Sequence, residues 1–177
     1  MEPDSEFIES YLELYSETQG VLPEKLEQFG ETYRQQGYLT REQLYEIAYE
    51  SSTRSAYHVK DNKEEHCRQV TRNVRKVDGD LSKIALIESL KGFKAPTASC
   101  VLAALDPEKH AVVDTRVWAS LERLDYFEER RESFDARDYA EMMPHIRQIA
   151  ERTGFSAAEV GYALFAHDFD VREGKLH

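Results

Sequence analysis

Residues 90–118 read LKGFKAPTASCVLAALDPEKHAVVDTRVW, and this stretch sets how the rest of the chain is read. Gly92 stands between Lys91 and Phe93-Lys94, where a missing Cβ permits a turn that other residues oppose. Pro96 suits the first turn of a helix, because its fixed φ is already helical and its missing N–H would have no partner there. The helix it opens, Pro96 to Leu105, is apolar on most sides through Ala98, Cys100, Val101, Leu102, Ala103 and Ala104, which places it centrally. Asp106-Pro107 ends it. Ala111-Val112-Val113 forms a short extended piece, and Asp114 opens a further helix over about 114–124, as a preferred N-cap residue does. The stretch is therefore two helices joined by a tight turn (about 81–105), followed by a return to an aspartate-led helix.

Working outward, the spacing predicts helices nearly everywhere. Phe7, Ile8, Tyr11, Leu12, Leu14 and Tyr15 make an apolar stripe from about Asp4. Gly20 and Pro23 mark the next boundary, and a helix from Pro23 to Gln36 ends at Gly37. Thr40 with Gln43 has capping-box spacing, as does Ser156 with Glu159. Glu50 to Arg54 disfavours helix and reads as a polar loop. Asn62 is read as the N-cap of a helix carrying Cys67, Val70 and Val74. Asp78-Gly79-Asp80 is a turn before Leu81–Leu90. Later helices are expected over about 136–152 and 156–167, with a frayed, charged tail after Asp168. The expected fold is all-α: one compact, two-lobed helical domain spanning 1–177.

Composition bounds the function. The 177 residues are 41 % hydrophobic and 32 % charged, enough for one real core beneath a solvated surface. No apolar run is long enough for a membrane helix and the acidic start lacks a signal peptide, so a cytoplasmic, monomeric protein with no membrane partner is expected. Cys67 and Cys100 are not in a C-x-x-C pair, which argues against disulfides and cysteine-bound clusters. His58, His66, His110, His145 and His167 lack metal-ligand spacing, so no metal is expected. The net charge of −11 opposes phosphate backbones on average, so any nucleic-acid contact must be local. The turn offers such a place: free amides at a helix start, flanked by Lys91 and Lys94, attract anions.

Leu90, Gly92-Phe93, Thr97-Ala98, Val112-Val113, Asp114 and Thr115-Arg116-Val117-Trp118 together resemble the helix-hairpin-helix DNA glycosylase superfamily. The resemblance implies a DNA partner, a damaged or modified duplex. It implies Lys91, Gly92, Phe93, Lys94 and Thr97 as the phosphate anchor and Asp114 as the catalytic carboxylate. It allows a monovalent cation at the carbonyls of Leu90 and Phe93, with no other cofactor. Two departures stand out. Lys94 replaces the second hairpin glycine, and Pro96 stands where bifunctional members carry a Schiff-base lysine. A monofunctional, divergent base-excision N-glycosylase is the activity implied.

A base whose glycosidic bond is to be cut must leave the stack, and its pocket needs aromatic walls. Tyr49, Glu50, Tyr57, Trp118 and Tyr126 are the candidates, with Glu50 as the counterpart of a glutamine the family places near the lesion. A noncatalytic hairpin module, binding nucleic acid or protein, is the alternative that the acidity and Lys94 leave open.

Overall fold

The computed structural model describes residues 2–18 and 21–173. The boundary expected at Gly20 lies outside them. Among the described residues the elements are helices only: α1 (Ser5–Thr18), α2 (Leu22–Gln36), α3 (Arg41–Ser51), the single turn α4 (Thr53–Ala56), a 3₁₀ segment (Tyr57–Asp61), α5 (Glu64–Val74), α6 (Asp80–Glu88), α7 (Ala95–Leu105), α8 (Thr115–Arg123), α9 (Ala136–Thr153) and α10 (Ala157–Glu173). The all-α expectation holds. One lobe gathers α2 through α7. In the other, α1 packs along α10, which also meets α8 and α9, so the two ends of the described chain share a lobe. Contacts of α9 with α6 and α7 join the lobes.

Local chemistry explains most boundaries. Thr40 and Gln43 form the reciprocal capping box of α3. Ser156 Oγ accepts from Glu159 N–H at 3.2 Å while Glu159 accepts from Ser156 N–H at 2.8 Å. Gly37 ends α2 in the left-handed conformation. The core of the fold is α7, where nine of eleven residues, from Ala95 to Ala104 with Pro96 excepted, are buried.

Two expectations are corrected. As far as the described residues go, the segment after Asp168 is not frayed: α10 runs on to Glu173. Asp168 itself is fully buried, taking Arg116 at 3.4 Å, Arg172 at 3.2 Å and Arg123 at close range. Three guanidiniums satisfy a carboxylate that burial would otherwise penalise heavily. Asn62 is not the cap of α5, whose N-cap is Lys63 with no side-chain bond. Its amide instead reaches across to the hairpin. Nδ2 donates to the carbonyls of Val59 and Lys91, and Oδ1 accepts Lys91 N–H, all at 2.9 Å. A cap residue's chemistry is used on a distant backbone, which no local pattern could reveal.

The lobes also meet through a buried polar cluster. His110 Nδ1 lies 2.6 Å from Tyr139 Oη on α9. Asp80 at the start of α6 lies 4.0 Å from the same ring and is gripped by Arg147 through two guanidinium nitrogens. Burial pushes the His110 imidazole down to about 4, reinforced by Arg147 and Lys83 and opposed by Asp80 and Asp106.

Two predictions follow from these contacts. Asn62→Ala strips the partners from the half-buried Lys91 backbone and should cost about 1–3 kcal/mol in urea unfolding, with no change in m. An unchanged midpoint overturns this bridging role. The lowered His110 pKa means the folded chain refuses a proton that the unfolded chain accepts. Its stability contribution is complete above about pH 6.5 and declines as pH falls towards about 4, by about 3 kcal/mol across that window. His110→Gln should remove that slope when wild-type and variant unfolding free energies are subtracted at each pH.

Candidate active site

The hairpin forms as its residues require. Gly92 has φ +91°, a region that L side chains rarely adopt. A Cβ there would also meet Val59 Cγ2 at 2.7 Å and Val59 N at 2.9 Å, so the turn is pressed against the 3₁₀ segment. Lys94 is the N-cap of α7 in extended conformation, and Pro96 lies in its first turn. Lys91 and Lys94 are exposed, whereas Phe93 and Thr97 are buried. The Thr97 hydroxyl pairs with Ser51 Oγ at 3.1 Å. Burial pushes the Glu88 carboxyl up, against the opposing pull of Lys94 and of the Ala95 amide. Leu90 O accepts Phe93 N–H at 3.4 Å, which uses one of its lone pairs at the position suggested for a cation. Among the described residues no group of His, Cys, Asp and Glu is arranged to hold a metal.

Helix α7 also places Asp114. Ser99 Oγ accepts Val113 N–H at 3.0 Å and lies 3.3 Å from Val113 O, so the central helix holds the extended 111–113 segment by its backbone. On the other side, Gly161 lets α10 close in; a Cβ there would meet Ala111 Cβ at 2.8 Å and Val112 O at 3.0 Å. Clamped between two helices, the segment delivers Asp114 to the start of α8. There Oδ1 accepts Arg116 N–H at 2.9 Å and Val117 N–H at 3.1 Å. Both caps go to one oxygen. Oδ2 has no hydrogen bond among the described residues.

Asp114 lines a cavity of about 200 Å³ together with Glu50, Ser51, Cys100 and the rings of Tyr15, Tyr162 and Phe165. Tyr15 and Tyr162 lie 4.8 Å apart, and Phe165 meets Tyr15 edge-on at 5.8 Å. Burial raises the Asp114 carboxyl above the ordinary range, with the Val117 and Arg116 amides and the Arg116 guanidinium opposing. Glu50 is tied to Lys25 at 2.9 Å, and that bond raises the lysine so that it stays an ammonium. Burial pushes the Cys100 thiol up to about 12, which leaves it protonated and inert.

Of the residues suggested by sequence, the structure brings Asp114 and Glu50 to one cavity. The other four stand elsewhere. Trp118 is 2 % exposed, stacked on Phe127 at 3.9 Å and bonded through Nε1 to Glu129 O at 2.8 Å, so it is core between α8 and the 124–135 loop. Tyr126 meets Arg152 at 3.3 Å and the His145 ring at 5.5 Å, on that same side. Tyr49 and Tyr57 are 49 % and 60 % exposed, and Tyr57 stacks on His58 at the surface. Sequence reasoning missed Tyr15, Tyr162 and Phe165. Their spacing reads as an ordinary apolar helix face, and only the pairing of α1 with α10 turns them towards Asp114.

The raised carboxyl has a consequence for stability. A folded pKa above the unfolded value means that stability falls as pH rises through that window, and the full penalty applies above it. Asparagine caps as well as aspartate and carries no charge to desolvate. Asp114→Asn should therefore melt at a higher temperature than wild type at pH 7–8, with the advantage vanishing below about pH 4. Equal melting temperatures at both pH values overturn the assignment of a desolvated charge.

No family model matches the sequence, and no curated protein does. Two solved structures share the fold, both from Methanocaldococcus jannaschii. An 8-oxoguanine DNA glycosylase matches with a TM-score of 0.55 at 16 % identity, covering 96 % of this chain and 94 % of that one. An 8-oxoguanine glycosylase/lyase in complex with 15mer DNA containing 8-oxoguanine matches with a TM-score of 0.51 at 16 % identity, covering 97 % and 92 %.

Proposed function

We propose that this chain is a monofunctional DNA N-glycosylase that removes a damaged or modified base flipped from a duplex. The observation that carries the reading is Asp114: one oxygen caps α8 while the other is unbonded in an aromatic-lined cavity. The two structural neighbours, a glycosylase and a glycosylase/lyase for 8-oxoguanine, support the class and make an oxidised purine the first substrate to try.

The chemistry asks for little more. As the C1′–N bond breaks, the base leaves with the bonding electrons and takes a proton from solvent water, matched by the one Asp114 later returns to solvent, and positive charge develops on the sugar. A preorganised carboxylate in a partly dry site stabilises that charge. Water then forms the new C1′–O bond and its proton passes to Asp114 Oδ2, the general base. Tyr15, Tyr162 and Phe165 hold the flipped ring by stacking, and Glu50, fixed by Lys25, accepts donors on its edge. The monofunctional reading is supported by Pro96 at the hairpin position where a lysine would act and by a cavity whose lining contains no lysine. Lys91 and Lys94 anchor phosphate at the hairpin.

A noncatalytic binding role is the second reading. It is favoured by Glu88, a carboxylate near enough to the start of α7 to feel Lys94 and the Ala95 amide, and by the net charge of −11.

A duplex panel beginning with 8-oxoguanine separates the two. Wild type should release free base and leave an abasic site cleaved only by added alkali, with no complex trapped by borohydride. Asp114→Asn should lose at least about 10²-fold in rate while still binding. Full activity in that variant, or no product from any lesion, sinks the catalytic reading. Lys91→Glu and Lys94→Glu should weaken binding and lower the log–log salt slope by about 1 each. Binding that is unaffected by both variants removes the hairpin from the interface.

A further inference from the structure

A second cavity, of about 380 Å³, opens at the far end of the hairpin, between the ends of α2, α5 and α7 and the start of α6. Its wall carries Arg34, Arg75, Lys83 and Lys109 against one carboxylate, Asp106. We propose that this cavity binds a small phosphate ester of mononucleotide size.

Charge sorting is the first argument. The chain has 34 acidic and 23 basic residues, so four cations facing one acid reverse its overall balance. The neighbouring cavity of about 580 Å³ shows the opposite composition: Glu24, Glu27, Glu108 and Glu159 face Arg34 alone. The second argument is which cations are already spent. Arg34 pairs with Glu31 at 2.9 Å, and Lys83 donates to Val74 O at 3.0 Å. Arg75 and Lys109 have no ion pair among the described residues. An arginine fork and a lysine point charge lining one cavity, neither in an ion pair among these residues, make a dianion receptor.

Shape supplies the third argument. The volume falls within the range of small-ligand sites and far exceeds what inorganic phosphate fills. Val74, Leu102 and Leu105 give the cavity an apolar wall for the organic part of the ester. His110, neutral because burial lowers it to about 4, adds a polar edge without charge. The site is also separate from the hairpin. Along α7, Ala95 and Leu105 lie about 15 Å apart, so a phosphate held at the turn does not reach this cavity.

The test is calorimetric titration of the full chain with dGMP, with deoxyguanosine and inorganic phosphate as separate probes, and in competition with an undamaged 15-base-pair duplex. The nucleotide should bind saturably, at least tenfold more tightly than either probe, and the duplex should not displace it. Arg75→Glu and Lys109→Glu should each weaken binding at least tenfold. Both replace exposed side chains, and circular dichroism confirms that each variant is folded. Lys91→Glu, the same charge change at the hairpin, should leave binding intact. Deoxyguanosine or phosphate binding as tightly as dGMP, wild-type affinity in both cavity variants, or displacement by the duplex each overturns the proposal; the last assigns these cations to a DNA backbone instead.

Discussion

The bond between Ser99 and the backbone of Val113 joins the two features on which a functional reading depends. Ser99 lies on α7, the helix that the hairpin turn begins; Val113 immediately precedes Asp114. A hydroxyl buried in an otherwise apolar helix has to find partners, since an unmet one costs about 1–3 kcal/mol. Here it donates back to Pro96 O at 2.6 Å and accepts Val113 N–H at 3.0 Å, from a segment with no helical or sheet partners of its own. The same hydroxyl thus gives the buried Val113 amide a partner and fixes how far the hairpin sits from the aspartate. Gly161 closes the clamp from α10, where even a methyl group would collide with Ala111 and Val112. Position 114 is consequently held from both lobes of the fold rather than by its own helix alone.

Polar side chains carry other long-range links as well. Asn62 ties the turn after Leu90 to the 3₁₀ segment, and Asp80 with Arg147 and His110 ties α6 to α9. Asp168 gathers three arginines beneath α8. Several cations of this acidic chain are used in pairs of this kind, and where the others cluster is informative. Arg75 and Lys109 face one cavity; Lys91 and Lys94 stand exposed at the hairpin.

The local features were legible in the sequence. Gly92, Pro96 and the run of small apolar residues after it mark the hairpin and its central helix, because a turn glycine, a first-turn proline and an all-round apolar face each have one dominant physical use. The capping boxes at Thr40 and Ser156 were legible for the same reason. The pocket was not. Its aromatic wall comes from α1 and α10, more than a hundred residues apart, and Tyr15 and Tyr162 lie on stripes that any core helix would show. Trp118 misled in the opposite sense: four residues after Asp114 it would share a side if both were helical, but Asp114 is the extended N-cap, and Trp118 packs on Phe127 and Glu129 instead. Asn62 shows a third limit, a good cap residue used far from any cap.

Asp114 resolves the tension between capping and chemistry by dividing its two oxygens. A carboxylate has lone pairs enough for both duties. Placing both amide bonds on Oδ1 fixes the orientation of the group and leaves Oδ2 pointing to no internal partner. The amides lower the carboxyl's proton affinity while the surroundings raise it, with burial the larger influence. A surface N-cap would feel only the first effect. The second signals a charge held partly out of water beside three aromatic rings, an arrangement that costs stability and contributes nothing to the cap. A helix start needs neither the cavity nor the desolvation; the proposed glycosylase reaction, in which positive charge develops on a flipped nucleotide, would use both.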